Sequence, residues 1–169
     1  MQMTRKLFPA LLALIACLSG PHTIALAQDE YRVVHLLYPS NCPVRIGVLK
    51  IAEKPIEAQR PFAASKDWLK SLSWEVQNTS SKSASYLEID FDFHELDQSG
   101  DRVFKYQYGR GTGAMLLRPS QQTRMTISDE VYVRIKRFVE ERQATLTVSI
   151  VEMKVTKVVF EDGTAWPPN

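Results

Sequence analysis

The chain contains 169 residues, of which 44% are hydrophobic and 24% are charged, and its formal net charge at pH 7 is +2. This composition is typical of one globular domain and excludes a disordered, a collagen-like or a multi-span membrane protein. Two cysteines cannot build a disulfide scaffold. The histidines, at positions 22, 35 and 94, are scattered, and no catalytic signature accompanies them.

The N-terminal segment has the three parts of a secretory signal peptide. Arg5 and Lys6 form its basic start. The run 7–18 is apolar apart from one proline, and it is shorter than the ~20 apolar residues that a membrane span requires. Small side chains at Ala25 and Ala27 fit a signal peptidase, which predicts that residues 1–27 are removed during export.

A second processing site is the alternative. Residues 14–17, Leu-Ile-Ala-Cys, resemble the lipobox of bacterial lipoproteins. A signal of residues 1–16 would leave Cys17 acylated, and this lipid would be the only link to a membrane. We expect a single domain, residues 28–169, that is periplasmic or secreted, with a membrane-anchored lipoprotein as the alternative.

The mature chain carries no net charge and one thiol. Cleavage after residue 27 leaves 19 basic and 19 acidic residues, with no basic stripe that would indicate nucleic-acid binding. Cys42 is then the only cysteine, so a disulfide within the chain is excluded. We expect a free, partly buried thiol, and a disulfide-linked dimer through Cys42 is the alternative in an oxidising compartment. His35, the nearest histidine, gives no geometry for a catalytic dyad with Cys42.

Alternating apolar residues predict strands along most of the mature chain. The inward-facing sets are Val44, Ile46 and Val48; Leu72, Trp74 and Val76; Leu87, Ile89, Phe91 and Phe93; Phe104, Tyr106 and Tyr108; and Met125 with Ile127. Hairpin spacing predicts that the strands at 86–94 and 103–108 are antiparallel neighbours. The stretch 53–65 contains two prolines and no period, and it is predicted to cross the surface.

The segment 129–142 is the one helical candidate. Its apolar residues recur at helical spacing, and Ser128 or the residue after it can cap its start. Because Val131, Val133 and Ile135 also alternate, a strand is the alternative.

The C-terminal segment 145–161 is predicted to be β. Its inward-facing apolar residues are predicted at even positions up to 150, at odd positions from 153 to 155, and at even positions again from 158, so the inward-facing set changes twice. Such changes indicate a bulge or a strand that moves between sheets. Asp162-Gly163 is a hairpin-turn dipeptide, so 164–166 should fold back on 158–160. About seven strands at this spacing, with one inserted helix, predict an antiparallel β-sandwich.

Parts of the chain resemble a known group of domains. The run 86–95, Tyr-Leu-Glu-Ile-Asp-Phe-Asp-Phe-His-Glu, is followed by Gly100. Together with the run 74–81, Trp-Glu-Val-Gln-Asn-Thr-Ser-Ser, and the ending 158–166, it is similar to the immunoglobulin-like domains of secreted bacterial proteins and lipoproteins, including the FxLYD-type group. The resemblance covers most of 72–166 and implies an immunoglobulin-like sandwich. That group of domains has no assigned catalytic residues, so the resemblance implies none for this chain.

An acidic strand face is the one candidate for metal chemistry. Opposite the apolar face of the strand at 86–94 lie Glu88, Asp90, Asp92 and His94. Neighbours on this face stand ~6.5–7 Å apart, so they would hold Ca²⁺ only if another strand supplied further ligands. We expect a solvated outer face that deters aggregation, and no metal or cofactor.

The function predicted from these observations is an exported, non-catalytic β-sandwich that binds or scaffolds at the cell envelope or outside the cell. The alternative is a small metal-dependent module or enzyme that uses His94 with the acidic strand. An exposed aromatic patch would favour the first function, and a concave pocket around His94 would favour the second. The sequence also matches the N-glycosylation pattern at 78–80, where chance matches are frequent.

Overall fold

The computed structural model describes residues 30–96, 102–109, 116–142 and 148–167. Within them the chain forms ten strands, one α-helix and one turn of 3₁₀ helix, Trp68–Ser71. In chain order the elements are β1 (Glu30–Leu37), β2 (Val44–Ile51), β3 (Lys54–Ile56), β4 (Phe62–Ala64), β5 (Leu72–Asn78), β6 (Ala84–Phe93), β7 (Val103–Tyr108), β8 (Gln122–Thr126), α1 (Asp129–Glu140), β9 (Ile150–Phe160) and β10 (Ala165–Trp166). Both predicted processing sites lie outside the described residues.

The strands form two sheets that pack face to face. The larger sheet has the order β4-β1-β9-β6-β7, with β10 beside β9, and the smaller sheet has the order β3-β2-β5-β8. β9 pairs antiparallel with β6 and parallel with β1, so it lies in the middle of the larger sheet. The prediction of a mainly β sandwich with one short helix is therefore confirmed. The sandwich is not antiparallel throughout, because β1 and β9 run parallel, and it has ten described strands where about seven are predicted. The immunoglobulin-like strand arrangement stays a prediction.

One core lies between the sheets. Trp74 of β5 is fully buried, and its ring centroid lies 5.6 Å from that of Phe91 on β6 and 5.4 Å from that of Tyr106 on β7, both edge-on. The inward sets predicted for β5, β6 and β8 are all buried. Their burial sets the strand register, because a slip by one residue would move each set to the outer face.

One prediction for the first half of the chain is wrong, and another is incomplete. Val48 is 49% exposed, and Leu49 takes its place in the core, because the register of β2 against β5 shifts between Ile46 and Leu49. The stretch 53–65 lies mostly at the surface, as predicted, but it contains β3 and β4, which extend the sheets beside β2 and β1. Each holds only three residues, too few to show a period.

The segment predicted as helix or strand is a helix. Ser128 caps α1, and its Oγ accepts a hydrogen bond of 3.3 Å from the Val131 N–H. Ile135 and Val139 are buried, whereas Val133, which a strand would have placed inward, is 53% exposed. In the described part of the chain no helix has the length and hydropathy to cross a bilayer.

The C-terminal strand contains one of the two predicted phase changes. β9 shifts register against β6 opposite Glu88 and Ile89. The chain then turns at Gly163, whose φ of 80° is readily adopted only by glycine. It returns as β10, where Trp166 pairs with Val158. The predicted hairpin is confirmed.

Asn78, at the end of β5, is buried and hydrogen-bonded on both sides of its amide. Its Nδ2 donates to the carbonyl oxygens of Lys82 and Leu117, both at 2.8 Å. Its Oδ1 accepts from the Ser80 N–H at 2.9 Å and from the Ser80 hydroxyl at 2.7 Å. The side chain organises the loop after β5 and is not accessible to a glycan, whatever the sequence pattern at 78–80.

Candidate functional site

The outer face of the larger sheet carries the acidic strand, and part of that face is neutralised by the protein itself. The Lys105 Nζ on β7 lies 3.2 Å from Glu88 Oε1 and 3.3 Å from Asp90 Oδ1. The Thr156 hydroxyl on β9 donates to Asp90 Oδ1 at 3.0 Å. The Glu88 and Asp90 side chains are only 13% and 20% exposed, so this is not the solvated face that the sequence predicts.

Glu88 is the best satisfied of these carboxylates. It accepts further hydrogen bonds of 3.1 Å from Gln107 Nε2 and from the Tyr86 hydroxyl. Burial acts to raise the pKa of Glu88, but the hydrogen bonds from Lys105, Gln107 and Tyr86 outweigh it, and the pKa lies below its ordinary value of 4.5. Because these oxygens already face protein donors, Glu88 is a poor candidate for a metal ligand.

A second group lies where β6 ends. Asp92, His94 and Glu152 each offer one ligand atom, and these three atoms all lie within 4.8 Å of one another. Glu152, on β9, is the cross-strand partner of Asp92, and its Oε2 lies 3.5 Å from His94 Nε2. Arg102 approaches from the side of β7, with its Nε 2.7 Å from Asp92 Oδ1. Two of the four residues that the sequence singles out, Asp92 and His94, thus lie close to Glu152, a possible metal-ligating residue from another strand.

His35 lies on the same outer face. In the parallel pairing of β1 with β9, His35 is the register partner of Glu152, and its neighbours Val34 and Leu36 point into the core. His35, Glu152 and Asp92 therefore form one row across β1, β9 and β6, with His94 two positions beyond Asp92. No local pattern could reveal this row, because its members come from the first, the last long and a central strand.

A cleft of about 640 Å³ lies beside the first half of β2. Apolar side chains from the end of β1, Leu37 and Tyr38, line it together with Ile46 of β2 and Val155 of β9. The Tyr38 side chain is 61% exposed. Polar side chains from β2, β5 and β8 also line it, namely Arg45, Glu75, Gln77 and Gln122.

The cleft follows a strand edge that no described strand covers. β3 pairs with residues 49–51 of β2, which leaves residues 44–48 with β5 as their one neighbour in the described part of the chain. On the side away from β5, the Ile46 carbonyl oxygen accepts a hydrogen bond of 3.3 Å from the Tyr38 hydroxyl. A side chain thus occupies an acceptor that a further strand would otherwise use.

Cys42 lines the cleft as a half-buried free thiol. Its Sγ donates to the Val44 carbonyl oxygen at 3.0 Å. Burial raises the pKa of Cys42, and this hydrogen bond offsets only part of the effect. The neutral thiol therefore predominates at pH 7, and no histidine is among the described residues that line the cleft.

The aromatic residues that the sequence aligns on β7 do not form an exposed patch. Phe104 and Tyr106 are buried, and the large exposed apolar side chains among the described residues are Tyr31, Leu37, Tyr38, Val48 and Val133. Two of these, Leu37 and Tyr38, line the cleft. Comparison with protein-family models, with curated proteins and with solved structures found no match.

Proposed function

We propose that this protein is an exported, non-catalytic β-sandwich that binds a partner at the cell envelope or in the extracellular space, with the cleft beside β2 as its binding surface. The observation that carries the proposal is that exposed apolar side chains, Leu37 and Tyr38, flank a strand edge at residues 44–48 that no described strand covers. Edges of this kind recruit an additional strand unless they are blocked.

The chemistry of the cleft favours an extended segment of a partner protein. An added strand would replace the Tyr38 hydroxyl at the Ile46 carbonyl oxygen with a main-chain N–H, and it would continue the smaller sheet beyond β2. Arginine, glutamate and glutamine side chains in the lining offer hydrogen bonds to alternate residues of such a segment. The affinity would come from main-chain pairing and the specificity from these side chains.

A binding role also agrees with the reactivity of the cleft. Its one thiol, Cys42, has a raised pKa and donates its proton to a carbonyl group, which is opposite to the activation that a catalytic cysteine needs. These features support a protein that holds its partner without chemical change.

Export is supported by the N-terminal sequence and by the resemblance to immunoglobulin-like domains of secreted bacterial proteins. Intact mass spectrometry of the protein from the envelope or the medium tests it. We expect a product that lacks residues 1–27, or one that lacks 1–16 and carries lipid on Cys17. A product in the envelope fraction that retains Met1 would contradict both forms of the proposal.

Gly47 offers a direct test of the cleft. A Cβ atom at this position would meet nothing closer than the Glu75 carbonyl oxygen, at 4.0 Å, so Gly47→Phe would fill the cleft without displacing the main chain. Peptides selected on the wild-type protein from a random display library should bind this variant at least about tenfold more weakly. Val133→Phe, which places the same ring on the exposed face of α1, is the matched control. Equal binding to both variants, or no enriched peptide, would contradict the proposal.

A further inference from the structure

We infer that the outer face of the larger sheet holds a site for a divalent transition-metal ion, with Asp92, His94, Glu152 and His35 as ligands and zinc as the ion that fits best. The site lies on a different sheet from the open edge of β2, and the inference does not rest on the proposed binding function.

Three of the proposed ligand atoms already lie close together. The ligand atoms of Asp92, His94 and Glu152 lie within 4.8 Å of one another. Around a tetrahedral zinc ion with bonds of ~2.0–2.2 Å, ligand atoms stand about 3.4 Å apart. Side-chain rotation would have to draw the three atoms together to reach bonding distance.

The fourth ligand comes from an independent strand. The chain has three histidines, and His22 belongs to the predicted signal peptide. The other two both stand beside Glu152: His94 through its 3.5 Å contact, and His35 as the register partner in the parallel pair of β1 and β9. His35 lies outside the group of three ligand atoms within 4.8 Å of one another, so its side chain would have to rotate toward Glu152 to supply the fourth ligand.

The donor set selects the metal. Two imidazole nitrogens and two carboxylate oxygens suit zinc, which takes four such ligands in tetrahedral geometry. Calcium is a poorer fit, because it takes six to eight oxygen ligands and the site supplies two imidazoles.

Arg102 has a positioning role in this site. Its Nε lies 2.7 Å from Asp92 Oδ1, so the guanidinium charge holds that carboxylate in place. Outer partners of this kind orient metal-ligating carboxylates. With one cationic and two anionic side chains, the site keeps a net negative charge that attracts a divalent cation.

The test measures zinc binding to the purified, tag-free chain in which Cys17 and Cys42 are replaced by Ser, so that no thiol competes for the ion. Calorimetric titration with zinc chloride should show one ion per chain, and calcium chloride should give no saturable heat. Cobalt(II) should produce the visible absorption bands of a four-coordinate ion, a signature that a merely structural cluster would not give.

Variants decide which residues are ligands. His94→Gln, Glu152→Gln and His35→Gln should each weaken zinc binding by more than about tenfold, since even outer-shell partners contribute about 10–100-fold. Glu88→Gln, on the same face but hydrogen-bonded to Lys105, is the control and should bind as the parent does. Circular dichroism confirms that each variant is folded. Absence of saturable zinc binding, or unchanged binding in the His94 and Glu152 variants, would overturn the site, and unchanged binding in His35→Gln would overturn its fourth ligand.

Discussion

Asn78 and Leu117 are joined by a hydrogen bond of 2.8 Å from the amide Nδ2 to the carbonyl oxygen. Asn78 ends β5 of the smaller sheet, whereas Leu117 forms an isolated bridge with Ala84 at the start of β6 in the larger sheet. The bond therefore ties the two sheets together at one end of the sandwich, and the side chain that makes it is fully buried.

Replacing Asn78 by Asp should destabilise the protein strongly. The substitution keeps the shape but turns both N–H donors into an oxygen that faces the carbonyl groups of Lys82 and Leu117. We expect the free energy of unfolding at pH 7 to fall by about 2–4 kcal/mol, measured by urea denaturation. Gln77→Glu makes the same chemical change at the exposed neighbouring position and is the control. Equal losses in the two variants would show that Asn78 does not tie the sheets.

Trp74→Ala should cost about 3–5 kcal/mol in the free energy of unfolding, because it opens a cavity between Phe91 and Tyr106. Trp74→Phe should cost less, since it keeps an aromatic ring and removes a buried indole N–H that has no hydrogen-bond partner among the described residues. Chemical denaturation of both variants measures the difference. An unchanged midpoint in Trp74→Ala would mean that the assigned strand phase is wrong.

Glu88→Gln should reveal a pH-dependent contribution to stability. The pKa of Glu88 in the folded protein lies below 4.5, so folding favours the ionised form. Its contribution is fully present above pH 4.5 and is lost as the pH falls through 4.5 towards the lower folded-state value. We expect the variant to be less stable by about 1 kcal/mol at pH 7, and the difference to disappear in acid.

Denaturation of wild type and Glu88→Gln at a series of pH values measures this effect. A solvated carboxylate would lose no more than about 0.5 kcal/mol on the same substitution. A small, pH-independent difference would therefore indicate that the hydrogen bonds from Lys105 and Gln107 do not form in solution.

Cys42 should react slowly with alkylating reagents. Its raised pKa and its hydrogen bond to the Val44 carbonyl group keep the thiol protonated and half-buried. Modification by iodoacetamide at pH 8, followed by mass spectrometry, should be at least about tenfold slower than for an exposed thiol. Thr126→Cys in a Cys42→Ser background supplies that exposed reference. Comparable rates, or a dimer on a non-reducing gel, would contradict this environment for Cys42.

The spacing of apolar residues is sufficient to predict the buried face of an element wherever that face packs on the core over the whole length of the element. The alternation in β5 and β6 and the helical spacing around Ile135 each identified the buried face correctly. Val48 is wrongly predicted to face the core because β2 shifts register against β5 after Ile46. This shift depends on the pairing of the two strands and cannot be predicted from the sequence of β2 alone.

The candidate metal site was predictable only in part, for a similar reason. Asp92 and His94 are two positions apart on one strand, so their common face follows from the strand period. Glu152 and His35 join them through the pairing of β9 with β6 and with β1, and each pairing brings distant parts of the chain together. The positions of Glu152 and His35 in the candidate metal site can therefore be predicted only when the order of strands in the sheet is known.

The central position of β9 determines when the chain can fold. β1 and β6 meet their common neighbour only in residues 150–160, which follow every described strand except β10. A chain that emerges progressively from a ribosome or a translocation pore cannot complete its larger sheet until those residues have appeared, and pairing across such a sequence separation is slow. The larger sheet of a nascent chain therefore stays incomplete until β9 has been synthesised.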